Sequence, residues 1–215
     1  MMERKNDTEI ILVHGLWFGS WAMFQLARRL RKASGLPVRR VNYRTTRGEL
    51  VDHADKLRSF TKQTGARSQH FVGHSLGGLV ILKMLSGSED IAPGRVVFLG
   101  SPLHGSAVAR KVEKIPGAAV LLGKIRSALE QGYPAIPGGR EAGMIAGSKS
   151  LGLGWIVGGT EGPGDGTVAI AETVADGLKD HCVLPVTHTG MLYSTEVVEM
   201  TTRFLETGAF DCTNA

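Results

Sequence analysis

The chain has 215 residues, a length that fits one domain with a substantial buried core. Hydrophobic residues make up 42% and charged residues 21% of the sequence, which argues against both a disordered and a membrane-embedded class. Much of the formal net charge of +5 comes from one basic segment. Its members are Arg28, Arg29, Arg31, Lys32, Arg39, Arg40, Arg44 and Arg47. No nucleic-acid motif accompanies them, so we expect a solvated basic face, no nucleic-acid partner, and at most weak contact with an anionic membrane surface.

The N-terminal residues and the two cysteines bear on the compartment. The first apolar run, residues 10–13, is too short for a signal peptide, and no apolar stretch has the length of a membrane-spanning helix. We therefore expect a cytoplasmic protein. Cys182 and Cys212 are too few for a disulfide framework and lack a metal or redox spacing. We expect one buried thiol, one thiol in the tail, and no metal site.

The first half of the chain alternates short apolar runs with amphipathic segments, which predict strands and helices. The predicted strands are 10–13, 38–43, 70–72 and 96–99, and the predicted helices are 21–32, 48–62 and 76–85. This alternation favours a parallel sheet with right-handed crossovers and helices on both of its faces.

The second half of the chain is less regular. Residues 106–154 contain one predicted helix, at 120–131, followed by a Gly/Pro-rich run without a clear period. We expect this insertion to form a small cap or one wall of a pocket within a single domain that spans residues 1–215. The remaining predicted elements are strands at 155–159 and 182–185 and a helix at 189–206.

The strongest motif is Gly-His-Ser-Leu-Gly at 73–77, between a predicted strand and a predicted helix. The pattern Gly-X-Ser-X-Gly is typical of a nucleophilic serine on a sharp turn, because glycines on either side leave room for a strained backbone. The helix start adds backbone donors and the positive end of the helix dipole. An ordinary glycine-rich turn also fits these residues, but the flanking strand and helix favour Ser75 as a nucleophile.

A serine hydroxyl is a poor nucleophile at neutral pH, so a base must accept its proton. Of the seven histidines, His188 follows the last predicted strand and therefore lies at the same sheet edge as Ser75. We interpret His14 as part of a turn near the oxyanion site and expect His74 to point away from the serine hydroxyl. We expect the other four histidines to be structural or solvated: His53 in a surface helix, and His70, His104 and His181 beside strands.

The base needs a carboxylate to hold its tautomer and stabilise the imidazolium. Asp165 is the best candidate, in a loop after the predicted strand 155–159. It has an alternative role in an Asp-Gly turn or a helix cap. Glu161 is the main rival, and Asp176 and Asp180 lie beyond that loop.

Acyl transfer passes through a tetrahedral oxyanion, which hydrogen bonds from backbone N–H groups must stabilise. We expect these donors to be the amides of Leu76, after the nucleophile, and of Leu16, in the loop after the first strand. Trp17 and Phe18 follow in that loop. Each is interpreted either as a substrate-binding residue of an acyl pocket or as a core residue.

Four segments carry a family resemblance, and they fall in the family's order. The segments are 14–16, 73–78, 165–168 and 188–193. Together they resemble the small bacterial serine esterases and lipases of the α/β-hydrolase superfamily. They look especially like the lidless bacterial lipases and are also similar to the hydrolase domain of GPI inositol-deacylases. The resemblance covers nearly the whole chain, from residue 9 to about residue 206.

The resemblance implies a single-domain α/β-hydrolase fold, a covalent acyl-enzyme and no cofactor. By it, the triad would be Ser75, Asp165 and His188, and the oxyanion hole would be Leu16 and Leu76. The chain departs from the family in two places. Secreted lipases carry a signal peptide, which is not found here, and the compact members have a short link where this chain has residues 106–154.

The sequence therefore predicts a carboxylic ester hydrolase that acts on a small-molecule acyl ester with a short or medium apolar chain. A thioesterase or an acyltransferase would use the same triad, so both stay open as alternatives. A catalytically silent binding protein is a further alternative, against which the complete triad argues. The sequence does not indicate the natural substrate or the oligomeric state.

Overall fold

The computed structural model describes residues 7–87, 90–137, 139–151, 160 and 162–212. Its strands form one parallel sheet with the order β2-β1-β3-β4-β5-β6. They are β1 (Thr8–Val13), β2 (Val38–Val41), β3 (Ser68–His74), β4 (Val96–Leu99), β5 (Ala142–Gly147) and β6 (Asp180–Leu184). Because all strands run the same way, the loops after them meet at one edge of the sheet.

Helices cover both faces of the sheet. They are α1 (Phe24–Ser34), α2 (Leu50–Thr61), α3 (Leu76–Leu85), α4 (Ala107–Glu113), α5 (Ala119–Leu122), α6 (Arg126–Gln131) and α7 (Thr195–Thr207). Alternate residues of β1 belong to two core clusters: Ile11 and Val13 pack with α2 and α3, whereas Ile10 and Leu12 pack with α1 and α7. Among the described residues, no helix combines the length and the apolar character needed to cross a membrane.

The predicted fold class, a parallel α/β sheet with helices on both faces, is confirmed. Helix α3 and strand β4 have the predicted bounds. The helix predicted at 120–131 is instead broken into α5 and α6 around Gly123, which has φ 62°. Any side chain at this glycine would place its Cβ 2.3 Å from the carbonyl oxygen of Thr46, so the close approach of that loop interrupts the helix.

Strand β5 corrects the prediction for the second half of the chain. It lies in the run at 132–154 that showed no period, and it pairs with β4 on one side and β6 on the other. All six of its residues are buried, so its sequence, Ala-Gly-Met-Ile-Ala-Gly, has no alternation of apolar and polar positions. Residues 142–147 of the insertion therefore belong to the central sheet. The strand predicted at 155–159 lies outside the described residues.

The two cysteines form a disulfide, so the prediction of two free thiols is wrong. After α7 the tail returns alongside β6, where the amide of Phe210 donates to Asp180 Oδ2 at 2.6 Å. This return brings the Cα atoms of Cys182 and Cys212 within 5.9 Å of each other. A disulfide is more typical of oxidising compartments than of the cytoplasm, which argues against the expected cytoplasmic location.

The disulfide should contribute measurably to stability. It closes a loop between residues separated by 30 positions, for which chain entropy gives a contribution of about 3–4 kcal/mol to the free energy of unfolding. We expect Cys212→Ser to lower the urea midpoint by a corresponding amount without reductant. With reductant present, the variant and the wild type should unfold at similar urea concentrations. Equal midpoints without reductant would contradict this prediction.

Candidate active site

Ser75 lies on the turn between β3 and α3 in a strained conformation, with φ 54° and ψ −123°. Its amide donates to the carbonyl of Leu99 at 2.9 Å, which anchors the turn to β4. A Cβ at Gly77 would lie 2.2 Å from the carbonyl oxygen of Val13, so only glycine lets α3 approach β1 this closely. The motif therefore fixes Ser75 at the sheet edge, beside the N-terminus of α3.

His188 and Asp165 are in direct contact. His188 Nδ1 lies 2.7 Å from Asp165 Oδ2, and the backbone amide of His188 donates to the carbonyl of Asp165 at 2.9 Å. The other carboxylate oxygen accepts from the amides of Thr167 at 2.9 Å and Val168 at 2.8 Å. In the neutral form of His188, a proton on Nδ1 that is donated to the carboxylate leaves Nε2 free of a proton, which is the tautomer that a general base needs.

The environment of Asp165 keeps it ionised. Burial raises the pKa of this carboxyl, but the imidazole of His188 and the hydrogen bonds from His188, Val168 and Thr167 outweigh burial and lower the pKa below its ordinary value. Because the pKa of Asp165 is lower in the folded than in the unfolded chain, the ionised carboxylate adds to the free energy of unfolding at pH values above the unfolded pKa. This contribution is lost as the pH falls through the pKa of the folded state.

Ser75 and His188 line the same cavity, which has a volume of about 500 Å³. The helices of the insertion supply one apolar wall of this cavity. The wall residues are Val108, Ala109, Val112, Ile115, Ala118, Leu121, Leu122 and Leu129. The first part of the predicted insertion, residues 106–131, is therefore a pocket wall.

The two expected oxyanion donors flank the serine. Leu76 is the first residue of α3, so its N–H has no acceptor within the helix. Leu16 lines the cavity, and in the described part of the chain its amide has no hydrogen-bond partner. The preceding Gly15 touches the turn, because a Cβ on it would lie 3.0 Å from the Cβ of Ser75. The loop that carries Leu16 therefore packs against the turn that carries Ser75.

Trp17 and Phe18 both line the cavity. Trp17 is 45% exposed and is no core residue; its indole Nε1 donates to the carbonyl of Leu121 at 2.7 Å, which ties this loop to the cavity wall. Phe18 is half-buried and also packs against the core cluster that contains α1. The amides of Trp17 and Phe18 are occupied, by Thr45 Oγ1 at 3.1 Å and by the carbonyl of Gly15 at 3.4 Å.

Two further residues lie beside the pair: Gly100, which sequence reasoning missed, and His74, which was expected to point away from the serine hydroxyl. Gly100, directly after β4, has φ 55°, and a Cβ there would lie 2.8 Å from Asp165 Oδ2 and 3.2 Å from His188 Nδ1. His74 is fully buried, and its Nε2 lies 3.0 Å from the carbonyl oxygen of His188, to which it donates. Burial lowers the pKa of His74 to about 3, so this imidazole is neutral. The signal that could have identified Gly100 was a glycine directly after the predicted strand 96–99.

The remaining five histidines do not line the cavity of Ser75. His14 is buried and stacks on Tyr43 with ring centroids 4.3 Å apart, beside the loop of Leu16. His53 was expected in a surface helix, but its side chain is buried and contacts Tyr43 at a centroid distance of 4.8 Å. The helix face that carries His53 therefore faces the core.

Three other carboxylates were weighed against Asp165 as the partner of the base: Glu161, Asp176 and Asp180. Asp176 is exposed, and Asp180 accepts from the amides of His181 at 2.8 Å and Phe210 at 2.6 Å. Neither lines the cavity of Ser75. Glu161 lies outside the described residues.

Comparison with known proteins gives a family match. The model of the Alpha/beta hydrolase family matches residues 10–192. No curated protein matches the sequence.

Several solved structures have a similar fold. Lipase BlEst2 of Bacillus licheniformis in its mature form is 20% identical, with a TM-score of 0.74, over 95% of this chain and 92% of that chain. A lipase-esterase related protein from Clostridium acetobutylicum is 9% identical, with a TM-score of 0.66, over 94% and 96% of the two chains. The metagenomic carboxyl esterase MGS0156 is 18% identical, with a TM-score of 0.65, over 85% of this chain and 64% of that chain. At these identities the likeness concerns the fold alone.

Proposed function

The chain belongs to the alpha/beta hydrolase family, and on that premise we propose that it hydrolyses carboxylic esters. In this proposal Ser75 is the nucleophile, His188 the general base and Asp165 the acid that orients the base. One observation carries the proposal: His188 contacts Asp165 at 2.7 Å and lines the same cavity as the strained Ser75.

The reaction would proceed through an acyl-enzyme. Ser75 Oγ attacks the ester carbonyl while Nε2 of His188 accepts the hydroxyl proton, and Asp165 stabilises the resulting imidazolium. The negative oxygen of the tetrahedral intermediate accepts hydrogen bonds from the amides of Leu16 and Leu76. The imidazolium then donates its proton to the departing alkoxide. Water, activated by His188, releases the carboxylic acid in the second half of the reaction.

The lining of the cavity favours a substrate with an apolar acyl group. Its insertion wall is built from aliphatic side chains and carries no charged group. Such a wall favours a short or medium hydrocarbon chain over a charged one, because a charge there would be desolvated without a partner. Two of the structural neighbours are a lipase and a carboxyl esterase, which agrees with this substrate class.

A substrate panel tests this proposal. We expect p-nitrophenyl esters to be hydrolysed with a preference for medium acyl chains, and acyl-CoA thioesters to be poor substrates. Ala109→Val places a larger side chain on the wall and so narrows the cavity. The preferred acyl chain of the ester should therefore become shorter, while the rate with the acetate ester stays nearly unchanged. Faster turnover of acyl-CoA would favour the thioesterase alternative. An unchanged chain-length profile in Ala109→Val would mean that the acyl chain binds elsewhere.

A further inference from the structure

A second cavity, of about 480 Å³, lies beside β2, one of the two edge strands of the sheet. We call it the arginine cleft. It is lined by Phe24, Ala27, Arg28, Arg31, Val38, Arg39, Arg40 and Phe60. No residue of this set lines the cavity of Ser75, so the cleft is a separate site.

Positive charge in the cleft exceeds the negative charge near it. Within the described part of the chain, the one carboxylate paired with a cleft arginine is Glu9, whose Oε2 lies 3.8 Å from Arg39 Nη1. Arg28, Arg31 and Arg40 have no ion-pair partner among the described residues. An anionic ligand in the cleft would compensate the charge of these three arginines.

The fold holds two of the cleft guanidinium groups, those of Arg39 and Arg40, in place. Arg39 lies over the ring of Phe60 at 4.1 Å and Arg40 over the ring of Phe24 at 5.3 Å. Arg40 Nη1 also donates to the carbonyl of Ser20 at 2.8 Å. Because a guanidinium carries five N–H donors, each arginine keeps donors for a ligand after making these contacts. These two arginines would therefore lose little side-chain freedom when an anion binds.

We propose that the arginine cleft binds a phosphate group. Arginine is suited to phosphate because its planar fork can contact two oxygens at once. Two exposed aromatic side chains lie at the cleft: Phe24, which lines it, is 54% exposed, and the nearby Trp21 is 67% exposed. Exposed aromatic rings next to arginines suit the interface of an anionic membrane, so a phospholipid headgroup is the favoured source of the phosphate.

An aromatic side chain near the arginine cleft contacts a residue that lines the cavity of Ser75. Trp21 packs edge-on against Phe18 with ring centroids 6.0 Å apart, and Phe18 lines the cavity of Ser75. A membrane held by the cleft would therefore lie close to that cavity. Phosphate binding in the cleft does not depend on the proposed ester hydrolysis, since the two sites share no residue.

The test measures binding by the full-length chain. Co-sedimentation with phosphatidylcholine vesicles, with and without phosphatidylglycerol, reports the lipid source, and calorimetry with inorganic phosphate reports a soluble source. We expect binding to vesicles that contain phosphatidylglycerol, weakened about five-fold by Arg28→Gln and about 25-fold by Arg28→Gln/Arg31→Gln. Arg28 is exposed and makes no contact that the fold needs, so its variant should fold normally.

Arg47→Gln is the matched control, because it removes the same charge from the same basic segment but lies outside the cleft. Its binding should stay close to that of the wild type, and Ser75→Ala protein should bind vesicles as the wild type does. If inorganic phosphate binds and Arg28→Gln weakens that binding, the result would also support a phosphate site in the cleft. The source of the phosphate would then be a soluble molecule. No binding of either probe, or an equal loss in Arg47→Gln and Arg28→Gln, would overturn the proposal.

Discussion

Replacing Ser75 with alanine should lower kcat for ester hydrolysis by about 10⁶-fold, the scale of loss when a triad nucleophile is removed. The variant keeps the cavity but lacks the oxygen that forms the acyl-enzyme. Steady-state hydrolysis of a p-nitrophenyl ester measures this loss. The fold should be retained, because alanine is smaller than serine and the amide of residue 75 still reaches the carbonyl of Leu99.

Ser101→Ala is the matched control for this experiment. Ser101 is also buried and lies close to the same turn, but its Oγ donates to the carbonyl of Gly73 at 3.4 Å and does not line the cavity. Its loss should reduce the free energy of unfolding by about 1 kcal/mol and leave kcat within a few-fold of the wild type. Substantial activity in Ser75→Ala would show that Ser75 is not the nucleophile.

Asp165→Asn should lower kcat by about 10⁴-fold while the fold stays intact. The asparagine oxygen can keep the bonds from Thr167 and Val168, but its NH₂ group then faces His188 Nδ1. His188 would have to accept at Nδ1 and carry its proton on Nε2, so it could no longer take the serine proton. Kinetics with the same ester, together with circular dichroism, check the prediction.

Two carboxylate variants serve as controls for the acid. Asp176→Asn changes an exposed carboxylate away from the cavity and should behave like the wild type. Glu161→Gln tests the rival acid and should also keep activity. If Glu161→Gln lost activity and Asp165→Asn did not, the orienting acid would be Glu161.

The strands and helices that carry local signals were predictable. Helix α3 follows a motif that marks its start, and β4 is a continuous apolar run, so both have the predicted bounds. For the candidate site, the sequence pointed to Ser75 through its glycines and to His188 through its place after the last strand. The order of the residues in the chain pointed to Asp165 as the partner of His188, and in the structure His188 Nδ1 lies 2.7 Å from Asp165 Oδ2.

The features that were not predictable depend on distant parts of the chain. Strand β5 has no alternation because both of its faces are buried by elements far away in sequence. The disulfide requires the tail to return to β6, and nothing in the spacing of Cys182 and Cys212 indicates this return. His53 lies on a helix whose buried face is set by contact with Tyr43 on another element.

The central claim is that His188 activates Ser75, and covalent labelling tests it most directly. The wild type and His188→Ala would be treated with a fluorophosphonate, and peptide mass spectrometry would locate the adduct and its rate of formation. We predict one adduct on Ser75 in the wild type and labelling slower by several orders of magnitude in His188→Ala. No adduct on Ser75, or equal labelling rates in the two proteins, would contradict the account.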